Sequence, residues 1–382
     1  MTEGIARHYG HVKVTTRGLN RALLDRQMLL RRHYISVPAA IERLVGMQAQ
    51  NPFDPYTGLW SRLESFTPQE LSSLIASGRV VRATAMMRTT IHLVTADDWL
   101  ALRPVLQGVA ERGFATGSPF GKLLAGLDVD EIVRTGRALL DEQPRSTNAL
   151  GKLLQERWPD GDASALGHAV RYLVPLAQIP PRGLWGERGQ PILATPEGWL
   201  GRSVGTDTAP DTIVLRYLAA FGPATVADIQ TWSWLTRLRP VVEKLRPQLR
   251  SFRDEQGREL FDVPDGPLPD PETPAPPRFL PTYDNALLSH KDRSRILGDQ
   301  AAWSVGPNQF DTAFGAGSVL VDGFVKAGWR IDRSNGAARL VVMPVVPLTS
   351  AAESEVVAEA ERLLTFLEGD RQTTRDVAFE PR

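Results

Sequence analysis

The sequence predicts a mainly α fold with β: three winged-helix units in tandem, followed by a small β-barrel or sheet. Three observations predict it. A unit of helix, short break, two further helices and a hairpin recurs three times before residue 264. Residues 264–277 then hold seven prolines in fourteen positions. Beyond them the apolar pattern changes from helical to strand-like. The expected boundaries are 1–96, 97–205 and 206–263 for the three units, 264–277 for the connector, and 278–382 for the strand-rich region with a terminal helix.

In the first unit Leu19–Leu30 carries an amphipathic helical pattern. Ser36 is a natural N-cap for the next helix, with Pro38 in its first turn. Strands follow at Val80–Ala85 and Arg88–Val94. In the second unit Val129–Asp141 reads as a helix, Pro144-Arg145-Ser146-Thr147 starts another through Leu154, and Ala165–Leu173 a third. A hairpin is expected over Gly183–Leu193, turning at Glu187-Arg188-Gly189. In the third unit Ile213–Phe221 is a helix and residues 222–225 cap Val226–Leu235. Basic residues 237–249 come next, and then a hairpin over Ser251–Val263 turning at residues 254–257. The proline-rich connector is extended and semi-rigid. Strands are expected at Val319–Lys326, Gly328–Asp332 and Ala337–Pro344, with Ser334-Asn335-Gly336 as a hairpin turn. Ala351–Glu368 closes the chain as an amphipathic helix.

Composition narrows the chemistry. The chain of 382 residues has 42% hydrophobic content and no cysteine, so disulfides, thiolate metal sites and a cysteine nucleophile are excluded. Six histidines lack ligand spacing, and no metal or cofactor is expected. The expected compartment is the cytoplasm, at the nucleoid, with no membrane association. Net charge is zero, but its distribution is uneven. Residues 1–62 carry nine Lys and Arg against four acids, and residues 237–253 six against Glu243 alone. Such local patches are what phosphate contacts require.

One short segment points to a site. Gly46 ends a helix, Pro52 favours extended geometry before it, and Gln48 and Gln50 sit two residues apart between them. On an extended chain such residues project to the same side. Paired neutral amides can hold a water without being acid or base, which suggests a hydrolytic site. No carboxylate stands beside the pair. Arg88, Thr90 and His92 alternate along an expected strand and could face phosphate or the site, or merely solvent. Tyr283, Asp284, Asn285, His290, Asp292 and Arg293 form a dense polar cluster that could contact phosphate or hold the domains together. Arg182 and Arg188 on the second wing, and Arg250, Arg253 and Arg258 on the third, are candidate DNA contacts.

These residues resemble a known family. Gly-Met-Gln-Ala-Gln-Asn-Pro (46–52), Arg-Thr-Thr-Ile-His-Leu-Val (88–94) and Pro-Pro-Arg-Gly-Leu-Trp-Gly (180–186) are similar to motifs of the winged-helix bacterial DNA glycosylases of the AlkZ/YcaQ superfamily. So are residues 222–233 and 279–293, in the same order. Gln48-Ala49-Gln50 matches the glutamine–aliphatic–glutamine signature of the AlkZ branch. The resemblance implies a C-shaped arrangement gripping double-stranded DNA. It adds contact with a lesion to the possible roles of the polar cluster at residues 283–293. It implies Gln48 and Gln50 as catalytic residues and hydrolysis of the N-glycosidic bond of N7- or N3-alkylated purines. Bulky adducts or crosslinks from genotoxic natural products are included, as antibiotic self-resistance. A purine alkylated at N7 is cationic and departs neutral, so a water held by amides suffices. The enzyme is expected to act as a monomer. The competing reading is a non-catalytic winged-helix DNA-binding protein or regulator.

Overall fold

The computed structural model describes residues 12–298, 317–334, 336–369, 371 and 373–380. The helix Thr16–Arg26 starts where the Thr15 hydroxyl accepts the Gly18 N–H. It stops short of Leu30 because Met28 takes a left-handed conformation, φ 56°. Ser36 caps Val37–Arg43 as expected, with Pro38 in its first turn. The chain then enters strand β1 (Met47–Gln48), through Gly46 at φ +86°. A Cβ at Gly46 would lie 2.6 Å from Val94 Cγ1, so glycine is required on two counts.

The hairpins of the first two units join in one six-stranded antiparallel sheet. Its strands are β1, β2 (Val80–Ala83), β3 (His92–Thr95), β4 (Arg145–Ser146), β5 (Ala177–Ile179) and β6 (Ile192–Ala194), in the order β1-β3-β2-β5-β6-β4. The seam between the two hairpins is β2 on β5, with Arg82 opposite Gln178 and Ala83 opposite Ala177. Two sequence expectations are corrected here. The second hairpin pairs residues 177–179 with 192–194, and residues 180–191 are its loop. Pro180 and Pro181 cannot donate to a ladder, and Gly183 and Gly186 have positive φ. In the first hairpin the strand begins at His92. Residues 87–89 form a tight helical turn, with Arg88 and Thr89 both left-handed at φ 55° and 59°.

The third hairpin, β7 (Arg250–Arg253) with β8 (Glu259–Asp262), stands apart as a two-stranded sheet. It turns at residues 254–257 as expected, with the Asp254 carboxylate accepting the N–H groups of Gln256 and Arg258. Earlier in this unit the helix Val226–Ser233 opens with a capping box between Thr225 and Asp228, and the helix Arg239–Leu245 leads on to the hairpin. The connector forms neither helix nor strand, but it is fastened. Arg21 donates to the Thr273 carbonyl and Arg26 to that of Pro267.

The C-terminal sheet comprises β9 (Arg278–Leu280), β10 (Gly317–Val321), β11 (Phe324–Ser334), β12 (Ala337–Pro344) and β13 (Thr374–Phe379). The order is β13-β12-β11-β10-β9, with β13 parallel to β12. Its outer strands do not pair with each other, so among the described residues it is an open sheet and not the expected barrel. Ser334 pairs with Ala337 across the expected turn; Gly336 is left-handed there, and Asn335 lies outside the described residues. A second tight turn at Asp322-Gly323 divides β10 from β11. The helix Ser350–Glu368 buries Val356, Ala360, Leu363 and Leu364 against this sheet.

Two large apolar cores meet at the Gln48 segment. Met47 and Ala49 belong to the one around Tyr56, Leu59, Phe279 and Trp329. Met86, Met87 and Val94 belong to the other, with Trp99, Tyr217, Phe221 and Trp232. Buried ion pairs stitch distant segments across them: Arg62 to Asp284, Arg26 to Asp262, and Arg32 to Glu359. Among the described residues no helix is long and apolar enough to cross a membrane.

Candidate active site

Strand pairing fixes the Gln48 segment. Gln48 lies opposite His92, and the Ala49 N–H donates to the Ile91 carbonyl at 2.8 Å. Buried Asn285 donates to the carbonyls of Leu44 and Gly46, at 3.2 and 2.6 Å, and clamps the approach to the pair. Asn285 thus points into the protein, where the sequence left it as a possible lesion contact.

The two amides reach the same turn, residues 87–92, but are not equally presented. Gln48 is 7% exposed and Gln50 lies open at the strand end. Gln48 Oε1 accepts from the Arg88 guanidinium at 2.6 Å, and Gln50 Oε1 accepts the Ile91 N–H at 3.1 Å. Each carbonyl has two lone pairs, so each keeps one. Arg88 also donates to the Trp232 carbonyl at 2.9 Å, which ties the pair to the helix Val226–Ser233. Arg82, wholly buried on β2, donates to the Ala49 carbonyl at 3.0 Å from the other side. Arg88, Thr90 and His92 therefore gather beside Gln48, although by a turn and not along one strand face.

The charge balance of this region differs from the rest of the molecule. Most arginines of the two basic patches are consumed by carboxylates. Arg17 and Arg21 meet Asp322, Arg246 meets Glu243 and Glu259, and Arg250 meets buried Asp262. The expectation that these patches offer phosphate contacts is corrected to that extent. Arg82, Arg88 and Arg293 join no ion pair among the described residues, although the Asp54 carboxylate acts on Arg82. Burial lowers both Arg82 and Arg88 to about 10, the first helped by Arg182 and the second by Arg293. Both stay cationic at neutral pH.

The remaining candidates divide in two. His290 is buried, between the Ser289 hydroxyl and the Phe221 carbonyl, and Asp292 pairs with Arg258. They form the network that holds the C-terminal part to the helices. Arg253 and Arg188 are exposed, while Arg182 donates to the Gly189 carbonyl. Tyr283 lines a void of about 10 Å³ together with Gln48, Asn285 and Asp54, the space of about one water. Asp54 is the carboxylate that sequence reading did not bring to the pair. Its position, on the first turn of the helix Asp54–Trp60, follows from the reversal of the chain after Pro52.

Burial and then Arg88 push His92 down to about 3. Burial and then Arg295 place His290 well below the usual imidazole range. Both are neutral at physiological pH and cannot serve as acids. Each binds fewer protons folded than unfolded, so stability is full above the ordinary value of 6.5 and declines as pH falls below it. Thermal melts are expected to show this decline. Any hydrolytic activity of the two amides, by contrast, is expected to stay level from about pH 6.5 to 8.5, because neither amide titrates. Single-turnover assays across that range check it.

Two neutral amides thus stand on the turn that carries Arg88, whose guanidinium joins no ion pair among the described residues. The chain belongs to the AlkZ-like DNA glycosylase family, whose model matches residues 41–366. It is therefore a DNA glycosylase. The fold is similar to that of the Streptomyces sahachiroi DNA glycosylase AlkZ, with a TM-score of 0.68 at 20% identity, covering 97% of this chain and 100% of that one. No curated protein matches the sequence.

Proposed function

We propose that the protein is a monofunctional glycosylase that hydrolyses the N-glycosidic bond of N7- or N3-alkylated purines in duplex DNA, with Gln48 and Gln50 holding the water. One observation carries the reading: each amide carbonyl is fixed by one protein donor and keeps one lone pair. A single water can donate one proton to each and turn its own lone pair towards the sugar. The carbonyl dipoles favour the positive charge that develops there. Neither amide can protonate a departing purine, so the substrate must already carry a good leaving group. A cationic alkylpurine does; an unmodified purine does not.

In this reading the three helix-and-hairpin units are winged helices arranged around the duplex in a C, and the protein works as a monomer. Exposed Arg188 and Arg253 and the partly buried Arg293 are the phosphate contacts it leaves available. Bulky adducts and crosslinks fit the same chemistry, since their leaving groups are equally activated. Incubation with a duplex carrying N7-methylguanine is expected to release the free base and leave an alkali-labile abasic site. Salt-dependent binding without release, on this and on bulkier N7 adducts, would establish the DNA-binding regulator instead.

A further inference from the structure

A cavity of about 450 Å³ opens beside the Gln48 centre, between the segment 107–117 and the helix Val226–Ser233 with its following turn. Its walls include Arg112, Gly113, Gln230, Trp234 and Lys291. The size is that of an ordinary small-ligand pocket. It is joined to the catalytic turn at two points. Arg88 bridges Gln48 to the Trp232 carbonyl, and Thr89 packs so closely on Gly113 that a Cβ there would lie 2.4 Å from its methyl.

Three features give the cavity a chemistry. Trp234 is 46% exposed in a molecule that buries most of its large apolar side chains. Its backbone is left-handed, φ 61°, where a bulky residue is disfavoured and glycine is usual. That conformation is held in place: the Arg112 guanidinium donates to the Trp234 carbonyl, the Ser233 hydroxyl accepts the Leu235 N–H, and Gln230 Oε1 accepts the Leu238 N–H. The backbone that carries the exposed indole is thus held in place. Arg112 and Lys291 line the cavity with it, and neither joins an ion pair among the described residues, whereas Arg258 is spent on Asp292, the residue after Lys291. An exposed indole lining one cavity with two cations that no carboxylate neutralises matches a nucleotide: a planar base with a phosphate at its edge.

We propose that this cavity receives one nucleotide unstacked from the duplex next to the lesion, its base on Trp234 and its phosphate between Arg112 and Lys291. The inference rests on the glycosylase reading for the identity of the polymer. A base inside a duplex has no free face, so the occupant is a nucleotide displaced when the Gln48 centre engages the sugar. Stacking supplies affinity without reading sequence, which suits an enzyme that meets its lesion in any context.

The test scans 2-aminopurine through positions flanking N7-methylguanine, with affinity measured over a salt series. Wild type is expected to change the fluorescence at one flanking position. Trp234→Ala should abolish that change and weaken binding by roughly tenfold, while Trp234→Phe retains part of both. Arg112→Ala with Lys291→Ala should lower the slope of log affinity against log salt by about two. Wild-type affinity and slope in all these variants, with no position responding to Trp234, would overturn the site. The binding readouts do not need excision. If wild type releases no base yet the signal depends on Trp234, the nucleotide site stands and the glycosylase reading falls. If excision is normal and the variants behave as wild type, only the nucleotide site falls.

Discussion

Gln48→Ala is expected to lower the single-turnover release of N7-methylguanine by about 10²-fold or more, with duplex affinity close to wild type. The two readouts separate because Gln48 is 7% exposed and Arg88 occupies one lone pair of its carbonyl, so it has little surface to offer DNA. What alanine removes is the fixed acceptor, and with it one of the two hydrogen bonds that hold the water. Gln50→Ala should cost less. Its carbonyl accepts a backbone N–H and its side chain lies open to solvent, where water can fill the place of the lost oxygen. Gln48→Glu is the informative companion. It keeps the shape and adds charge next to a guanidinium, so the new carboxylate pairs with Arg88 instead of gaining basicity. Activity near wild type for Gln48→Glu is the expected result. Equal losses of binding and excision in Gln48→Ala would sink the assignment of the pair.

The sequence carried the local rules well and the long-range ones poorly. Ser36, Thr225 and the Asp254–Gly257 turn were legible because caps and tight turns are set by a few adjacent residues. The extended Gln48–Gln50 segment followed in the same way from Gly46 and Pro52. The start of β3 differs because alternation in Arg88-Thr89-Thr90-Ile91-His92 looks like a strand, whereas two left-handed residues there make a turn closed by the Thr89 and Thr90 N–H groups on the carbonyls of Met86 and Met87. The basic patches misled for a different reason. Net local charge counts cations, but the partners of Arg21, Arg26 and Arg62 lie more than two hundred residues away. Only folding reveals which charges are spent. Arg82 was missed entirely: one arginine in a hydrophobic strand gives no pattern, and its contact with the Ala49 carbonyl exists only in the assembled sheet. The barrel was expected because short strands and tight hairpins look alike in open and closed sheets; whether the first and last strands pair is not written locally.

Arg88→Ala is expected to be nearly as damaging to excision as Gln48→Ala, by about 10²-fold, for an indirect reason. Arg88 touches no reacting atom; it fixes the plane of the Gln48 amide and anchors that plane to the Trp232 carbonyl. Without it the amide rotates, and both the acceptor direction and the spacing to Gln50 are lost. A purely structural arginine would predict a matching fall in stability, and the charge balance here predicts otherwise. Arg88 is a desolvated cation with Arg293 nearby and no carboxylate partner among the described residues, lowered to about 10 by burial. Removing a half-buried charge of that kind relieves part of a desolvation penalty and offsets the two lost hydrogen bonds. The variant should therefore melt close to wild type while losing activity. Arg88→Lys keeps the charge but not the two-pronged geometry, and should recover little. Added guanidinium ion at millimolar concentration should restore part of the rate in Arg88→Ala and none in Gln48→Ala. A large drop in melting temperature with no rescue by guanidinium would show instead that Arg88 serves the fold and not the orientation of Gln48.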